Sequence, residues 1–289
     1  MTTRTLSLDD VRAAAPSVFA NNPFPGMSSR YAFVPTASVV EQMMGEGWAV
    51  RQASQSFTRL DDHRGFQKHM IRFARLEDIA KVNALTTRDG HSINREKPLA
   101  EFPEVVMVNS HDGSSTYQLF AGIFRLVCSN GLIVADQTFA SLKVRHTGDA
   151  NQIIGASYQI LESADEIMGS VNAMKQIELT PAERKQFALG GAMVRYGVDK
   201  LEDVPVNYER LLASRRYEDG APTLWNTFNT VQENLMKGGQ KIRLGETKVS
   251  ESGRLIRPCR TKQIKAVDAT VKVNKSLWQM AGEILAAKG

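Results

Sequence analysis

The residues of this chain that could do chemistry are five histidines, two cysteines and a scatter of aspartates, and their spacing limits what that chemistry could be. The histidines stand at 63, 69, 91, 111 and 146, with no close ligand pair among them. Asp61-Asp62-His63 has the donor types of a divalent-metal site, but an acidic run followed by glycine between two strands reads as a solvated turn. His111-Asp112-Gly113 reads as a turn as well, and His69, inside a strand, reads as a packed or hydrogen-bonded side chain.

Cys128-Ser129-Asn130 is the most enzyme-like run. A reactive thiol needs a histidine or a helix N-terminus to lower its pKa, and the flanking sequence offers neither. Asn130-Gly131 lies between two apolar runs, which predicts a type I′ hairpin turn because both residues tolerate positive φ. Cys128 then ends the incoming strand as a packed thiol. It lies 131 positions from Cys259, so neither a disulfide framework nor a cysteine-rich zinc knuckle is expected. The phosphate loop, H-E-x-x-H, G-x-S-x-G and G-x-G-x-x-G are all missing from the sequence. No catalytic residue, cofactor or metal ligand is assigned.

The elements that would position these residues follow from periodicity. Ser7 caps a short first helix, and a second follows Pro35 and ends at Gly45 and Gly47. Residues 48–59 and 65–75 read as an antiparallel strand pair, with His69, Ile71 and Phe73 on one face and Lys68, Met70 and Arg72 on the other. Residues 78–101 give no clean period, and within them residues 85–98 read as a long exposed loop. From Glu104 the pattern is sheet-like up to about His146.

A long helical stripe of Ile153, Ile154, Ile160, Leu161, Ala164, Ile167, Met168, Val171 and Met174 comes next, and it predicts one amphipathic helix of about seven turns. Thr180-Pro181-Ala182-Glu183 is a capping box that starts another. The helix after Pro222 buries Leu224, Trp225, Phe228, Val231 and Leu235 until Gly238-Gly239 stops it. On it Asn226, Asn229 and Glu233 share a face away from Trp225 and Phe228, read as solvated or else as a contact for a base, a sugar or a partner. A final amphipathic helix starts near Asn274. The fold class is therefore α+β: an antiparallel β-sheet over about residues 47–146 covered by long amphipathic helices, with a basic C-terminal extension. The expected division is a core domain over 1–238 and a basic segment over 239–289.

Charge supplies the functional lead. The chain of 289 residues carries a formal net charge of +5, yet residues 239–289 hold 11 lysines and arginines against 4 acidic residues. Lys241, Arg243, Lys248, Arg254, Arg257, Arg260, Lys262 and Lys265 form a strip suited to phosphates, because neutralising them releases counterions. A second cluster, Arg51, Arg59, Lys68 and Arg72, is interleaved with Trp48, Phe57 and Phe66 on the first strand pair. Basic groups beside aromatics suit single strands, whose bases can stack. No apolar run approaches the roughly 20 residues of a membrane span, and the N-terminus lacks the apolar stretch of a signal peptide, so the expected location is the cytoplasm, with no membrane partner.

Arg-Leu-Val-Cys-Ser-Asn-Gly at 125–131, the His69 to Arg75 segment and the Leu224 to Gly239 helix resemble the family called domain of unknown function 932, over about Arg30 to Gly239. Its members are described as phage- or plasmid-like proteins. The resemblance implies a mobile-element setting, where accessory proteins often handle DNA, and implies no catalytic residue. The expected function is nucleic-acid binding in such a setting, with single-stranded DNA favoured and annealing by a homo-oligomer as one form of it. The alternatives are a metal-dependent nucleic-acid enzyme using Asp61, Asp62, Asp112 and Asp136, and a factor that blocks a host defence through the long apolar helix.

Overall fold

The computed structural model describes residues 5–28, 31–84, 101–125, 128–134, 142–144, 150–242 and 260–289. It is an α+β protein that divides into two compact units, residues 1–168 with 265–267, and residues 169–264 with 268–289. The expected division at Gly238 falls inside the second unit.

In the first unit the described strands β1 (Trp48–Gln55), β2 (His69–Arg75), β3 (Glu101–Asn109), β4 (Tyr117–Arg125) and β5 (Cys128–Val134) pair antiparallel in sequence order, and β6 (Leu142–Val144) pairs with β4 beyond β5. Period-2 alternation sorts the side chains. Val50, Phe73, Val105 and Ala121 form one transverse row, Ala53, Ile71, Met107 and Leu119 the next, all buried on one face. That face is covered by α1 (Leu8–Ala14), α2 (Thr36–Gly45) and α4 (Ala150–Glu162). Val39, Val40 and Met43 of α2 and Ile153 and Ile160 of α4 are buried there, and Trp48 meets the Tyr158 ring edge-on at 6.1 Å. The expected faces of β2 are the observed ones.

Two sequence expectations change, and a third segment gains an assignment. Asn130-Gly131 is not the hairpin turn: both residues lie inside β5, where the register slips between Ile123↔Leu132 and Arg125↔Cys128. The pairing of the two strands reaches Arg125↔Cys128, ahead of Asn130 in the chain. Residues 76–84, which show no clean period from 78 onward, form α3 (Leu76–Ala84), whose Ile79 joins Ala49, Ala74, Phe102 and Phe124 on the sheet's other face, while the loop expected over 85–98 lies outside the described residues. The single long helix is two, α4 and α5 (Ala164–Gln176), because Ser163 breaks it with a tightened turn in which its N–H reaches the Ile160 carbonyl at 3.2 Å.

The second unit is helical. Thr180 caps α6 (Pro181–Tyr196) as the capping box predicts, accepting from the Glu183 N–H while the Glu183 carboxylate accepts from the Thr180 N–H at 2.7 Å. Then come α7 (Tyr208–Leu211), α8 (Leu224–Lys237) and α9 (Val267–Lys288). Phe228 is the aromatic centre of this core, with Trp225 stacked at 5.7 Å, Phe187 at 6.1 Å and Trp278 edge-on at 6.2 Å. Gly191 makes the close approach of α6 possible, since a Cβ there would stand 2.8 Å from Leu277 and 3.1 Å from Leu235. Among the described residues, no helix is long and apolar enough to cross a membrane.

Candidate nucleic-acid interface

Of the twelve cations expected to meet phosphates, the structure describes eight, and it separates them into three environments. Arg243, Lys248, Arg254 and Arg257 lie outside the described residues.

Arg72 is a correction. It is 1 % exposed on the sheet's second face, where its guanidinium donates Nε–H to Glu104 at 2.8 Å and places a second nitrogen 2.7 Å from the same oxygen. No phosphate reaches it. Strand alternation put Arg72 opposite the helix-covered face, but this second face is buried too, with Val106, Phe120 and Met70 all in the core. A charge there persists only because Glu104 compensates it. Arg51 is half-buried beside the same pair, its guanidinium 4.1 Å from the centre of the Phe124 ring. Burial pushes its pKa down, while Glu104 acts in the opposite sense. Arg51 and Arg72 are therefore parts of the sheet and do not share a surface cluster with Arg59.

The loop between β1 and β2 is different. Phe57 is 84 % exposed and Leu60 59 %, with Arg59 exposed between them. Asp61 is held by Arg64 at 2.8 Å, and His63 faces Asp112 at 3.6 Å while stacking on Phe24. The Lys68 carbonyl accepts the Ser56 N–H at 2.8 Å, closing the hairpin, and the Lys68 side chain is half-buried. The Val267 N–H donates to Ser56 Oγ at 3.3 Å. Exposed Lys265, two residues earlier, is thus brought to the base of the hairpin that carries Phe57. The other two aromatics of this cluster are not platforms: Trp48 is in the core, and Phe66 is half-buried with its ring edge-on to Phe24.

In the second unit the cations gather around the double glycine. Gly238 and Gly239 have φ of +66° and +81°, and a Cβ on Gly238 would stand 2.7 Å from the Thr261 and Lys262 backbone. Glycine is what lets the two segments meet. Gly239 N–H donates to the Thr261 carbonyl, Arg260 donates to the Gly239 carbonyl, and a bridge pairs Lys241 with Arg260. Lys241, Arg260 and Lys262 are exposed, and the Lys262 carbonyl accepts from Arg195 at 2.7 Å.

The polar face of α8 is also a correction, because apart from Asn226 it is buried and not solvated. Every residue from Leu224 to Met236 except Asn226 is buried. Asn229 donates to the Trp225 carbonyl, and Glu233 accepts from Arg216 and Lys237. Asn234 donates to the Leu211 and Ala213 carbonyls and accepts from Arg215 and Gln240. These are the internal partners that buried polar groups require.

Of the described histidines, His69 and His111 serve packing, and His91 and His146 lie outside the described residues. His69 and His111 are fully buried and converge on the Thr36 hydroxyl at 3.0 and 3.1 Å, joined by Asn109 at 3.0 Å and Tyr117 at 3.1 Å. The Gln67 carbonyl, 3.1 Å from His69 Nδ1, can only accept, so Nδ1 carries the proton and Nε2 accepts from Thr36. Burial depresses the His69 pKa to about 4. No substrate reaches this cluster. Among the described residues, no group of three His, Cys, Asp or Glu is placed to hold a metal ion. Asp136, the Cys128 side chain and Cys259 lie outside the described residues.

Sequence reasoning missed Glu104, Thr36 and Tyr217, the last 97 % exposed in a short turn at Tyr217–Asp219. The signal for Tyr217 was present as an aromatic within the polar run Arg-Arg-Tyr-Glu-Asp-Gly.

The profile of the family described as Domain of unknown function (DUF932) matches residues 25–278 of this chain, a wider span than the sequence resemblance suggested. UPF0380 protein YafZ of Escherichia coli (strain K12) is 32 % identical over 283 residues, covering 98 % of this chain and 92 % of its own length. UPF0380 protein YfjQ of the same strain is 31 % identical with the same coverage. No solved structure matches the chain.

Proposed function

Since the chain belongs to the family of domain of unknown function DUF932, whose name carries no activity, we propose from its own surface that it binds nucleic acid without chemistry and prefers single strands to duplex. The reading is carried by one observation: the hydrogen bond from Val267 N–H to Ser56 brings Lys265 of the basic segment to the base of the hairpin whose loop bears an exposed phenylalanine and an exposed arginine. A ring left almost wholly in water suits an unpaired base, which every strand offers and a duplex hides. Arg59 and Lys265 then take the flanking phosphates, and sequence plays little part because every base has a π-face. A role in a mobile element accords with this reading and rests on the resemblance alone.

Fluorescence anisotropy with labelled single- and double-stranded DNA across a salt series tests it. Retention of single strands at low salt, falling steeply as salt rises and weakened by Phe57→Ala, is the expected result. Absence of binding to any oligonucleotide at low salt refutes it. Cleavage of the probe with magnesium or manganese present would favour the enzyme reading instead, and mass photometry of the complex reads whether several chains share a strand, as annealing by an oligomer requires.

A further inference from the structure

We infer that the second unit carries a strand-binding platform of its own, in which Tyr217 stacks on an unpaired base while Arg215, Lys241, Arg260 and Lys262 hold the adjoining phosphates. This rests on the nucleic-acid reading above and adds to the expected cations Tyr217 and Arg215, which no expectation included.

The ring is presented rather than loose. Tyr217 is 97 % exposed, yet both arginines before it are anchored to buried groups of α8. Arg215 donates Nε–H to Asn234 at 2.7 Å and a second N–H to the Gly238 carbonyl at 2.9 Å, and Arg216 donates to Glu233 at 2.9 and 3.2 Å. A loop tied down on one side of its aromatic residue has already lost much of its conformational entropy, so stacking a base on that ring costs little further order.

The same anchors tie the Tyr217 loop to the chain that carries the cations. Asn234 Oδ1 accepts from both Arg215 and Gln240, so the Tyr217 loop and the chain entering the basic segment share one buried side chain. Gln240 N–H in turn donates to Thr261 Oγ1 at 3.0 Å, and Arg260 to the Gly239 carbonyl at 2.8 Å. Lys241, Arg260 and Lys262 thereby sit around the double glycine that Arg215 grips. Among the described acids of this region, Asp219 and Glu233 are buried, Glu233 paired with Arg216, and Glu218 is exposed beside Tyr217. The surplus of positive charge favours a polyanion over an apolar protein partner.

The test compares wild type with Tyr217→Ala, Tyr217→Phe and Phe57→Ala in anisotropy titrations with an unlabelled-base single strand of about 30 nucleotides, a length that spans more than one roughly 4–16-nucleotide site. Loss of one stacked base is expected to weaken Tyr217→Ala by roughly 5- to 150-fold, with Tyr217→Phe close to wild type because the π-face is kept. Photocrosslinking with bromouridine-substituted strands should yield an adduct on Tyr217. Wild-type affinity in Tyr217→Ala with no adduct, while Phe57→Ala is weakened, overturns this platform and leaves the first intact. Failure of wild type to bind any strand overturns both, and a Tyr217→Ala defect seen only in binding to a protein partner assigns the surface to protein contact and refutes the inference.

Discussion

Two buried charge and proton arrangements govern the first unit at the scale of single residues. Thr36 has one proton to donate and two lone pairs, and four polar groups surround its oxygen. His111 and Asn109 donate to it, His69 takes its proton, and Tyr117 sends its own proton to the Val34 carbonyl at 3.0 Å. Thr36→Val keeps the volume and strands several of these groups, each costing about 1–3 kcal/mol when buried without a partner, so a clear fall in Tm is expected by calorimetry. His69 gives this network a pH dependence. Its folded pKa of about 4 lies below the unfolded 6.5, so the unfolded chain takes up the proton first as pH falls. Stability is therefore full above about pH 6.5 and declines through the window down to 4, by an amount on the order of 3 kcal/mol. Urea melts of wild type and His69→Gln should show a slope over that window that the variant lacks. Glu104→Gln removes the charge that compensates Arg72, a change costing roughly 3–5 kcal/mol when one partner of a buried pair is lost. A variant as stable as wild type in those melts would show that the pair is solvated.

At the scale of elements, termini and crossings do the positioning. The α6 capping box is reinforced from α9, because Lys288 reaches Glu183 at 2.7 Å. The Lys288 hydrogen bond, then those from Thr180, pull the Glu183 pKa down to about 2. Thr180→Ala should cost about 1 kcal/mol, the usual worth of such a cap, read as a shift in the urea midpoint without a change in slope. Gly238 is more demanding than Gly191, since it needs a positive φ as well as space against the Lys262 backbone. Gly238→Ala should destabilise by more than about 1 kcal/mol and should also weaken the proposed DNA binding by displacing Lys241 and Arg260. Retained affinity in a folded Gly238→Ala protein would separate the cations from the glycine.

For the whole molecule, the measurable quantity is the salt dependence of the proposed nucleic-acid binding. Each phosphate neutralised on a single strand contributes roughly 0.7 to the logarithmic slope, so Arg59→Ala with Lys265→Ala should lower it by about 1.4 if both ions are contacts. An unchanged slope with a reduced intercept would mean that these two cations act through the fold. The same titration separates Arg72 from them, because a buried guanidinium contributes no counterion release.

The sequence by itself determined what depends on neighbours in the chain. Period-2 alternation set the faces of β2, the Thr180 capping box set the start of α6, and paired glycines set the end of α8, because each is decided within a few residues. Even so, Asn130-Gly131 carried a strong turn signal and was overruled by strand pairing. α9 begins at Val267, seven residues before the expected start, although β-branched residues there favour helix weakly; Val267, Thr270, Val273 and Asn274 are buried, and burial outweighs propensity. Only the tertiary structure decided which charges meet water. Arg72 and Arg59 are alike in the sequence, but one lies under a second covering of the sheet and the other at a hairpin tip, and that difference arises from contacts between residues distant along the chain, which no local pattern records.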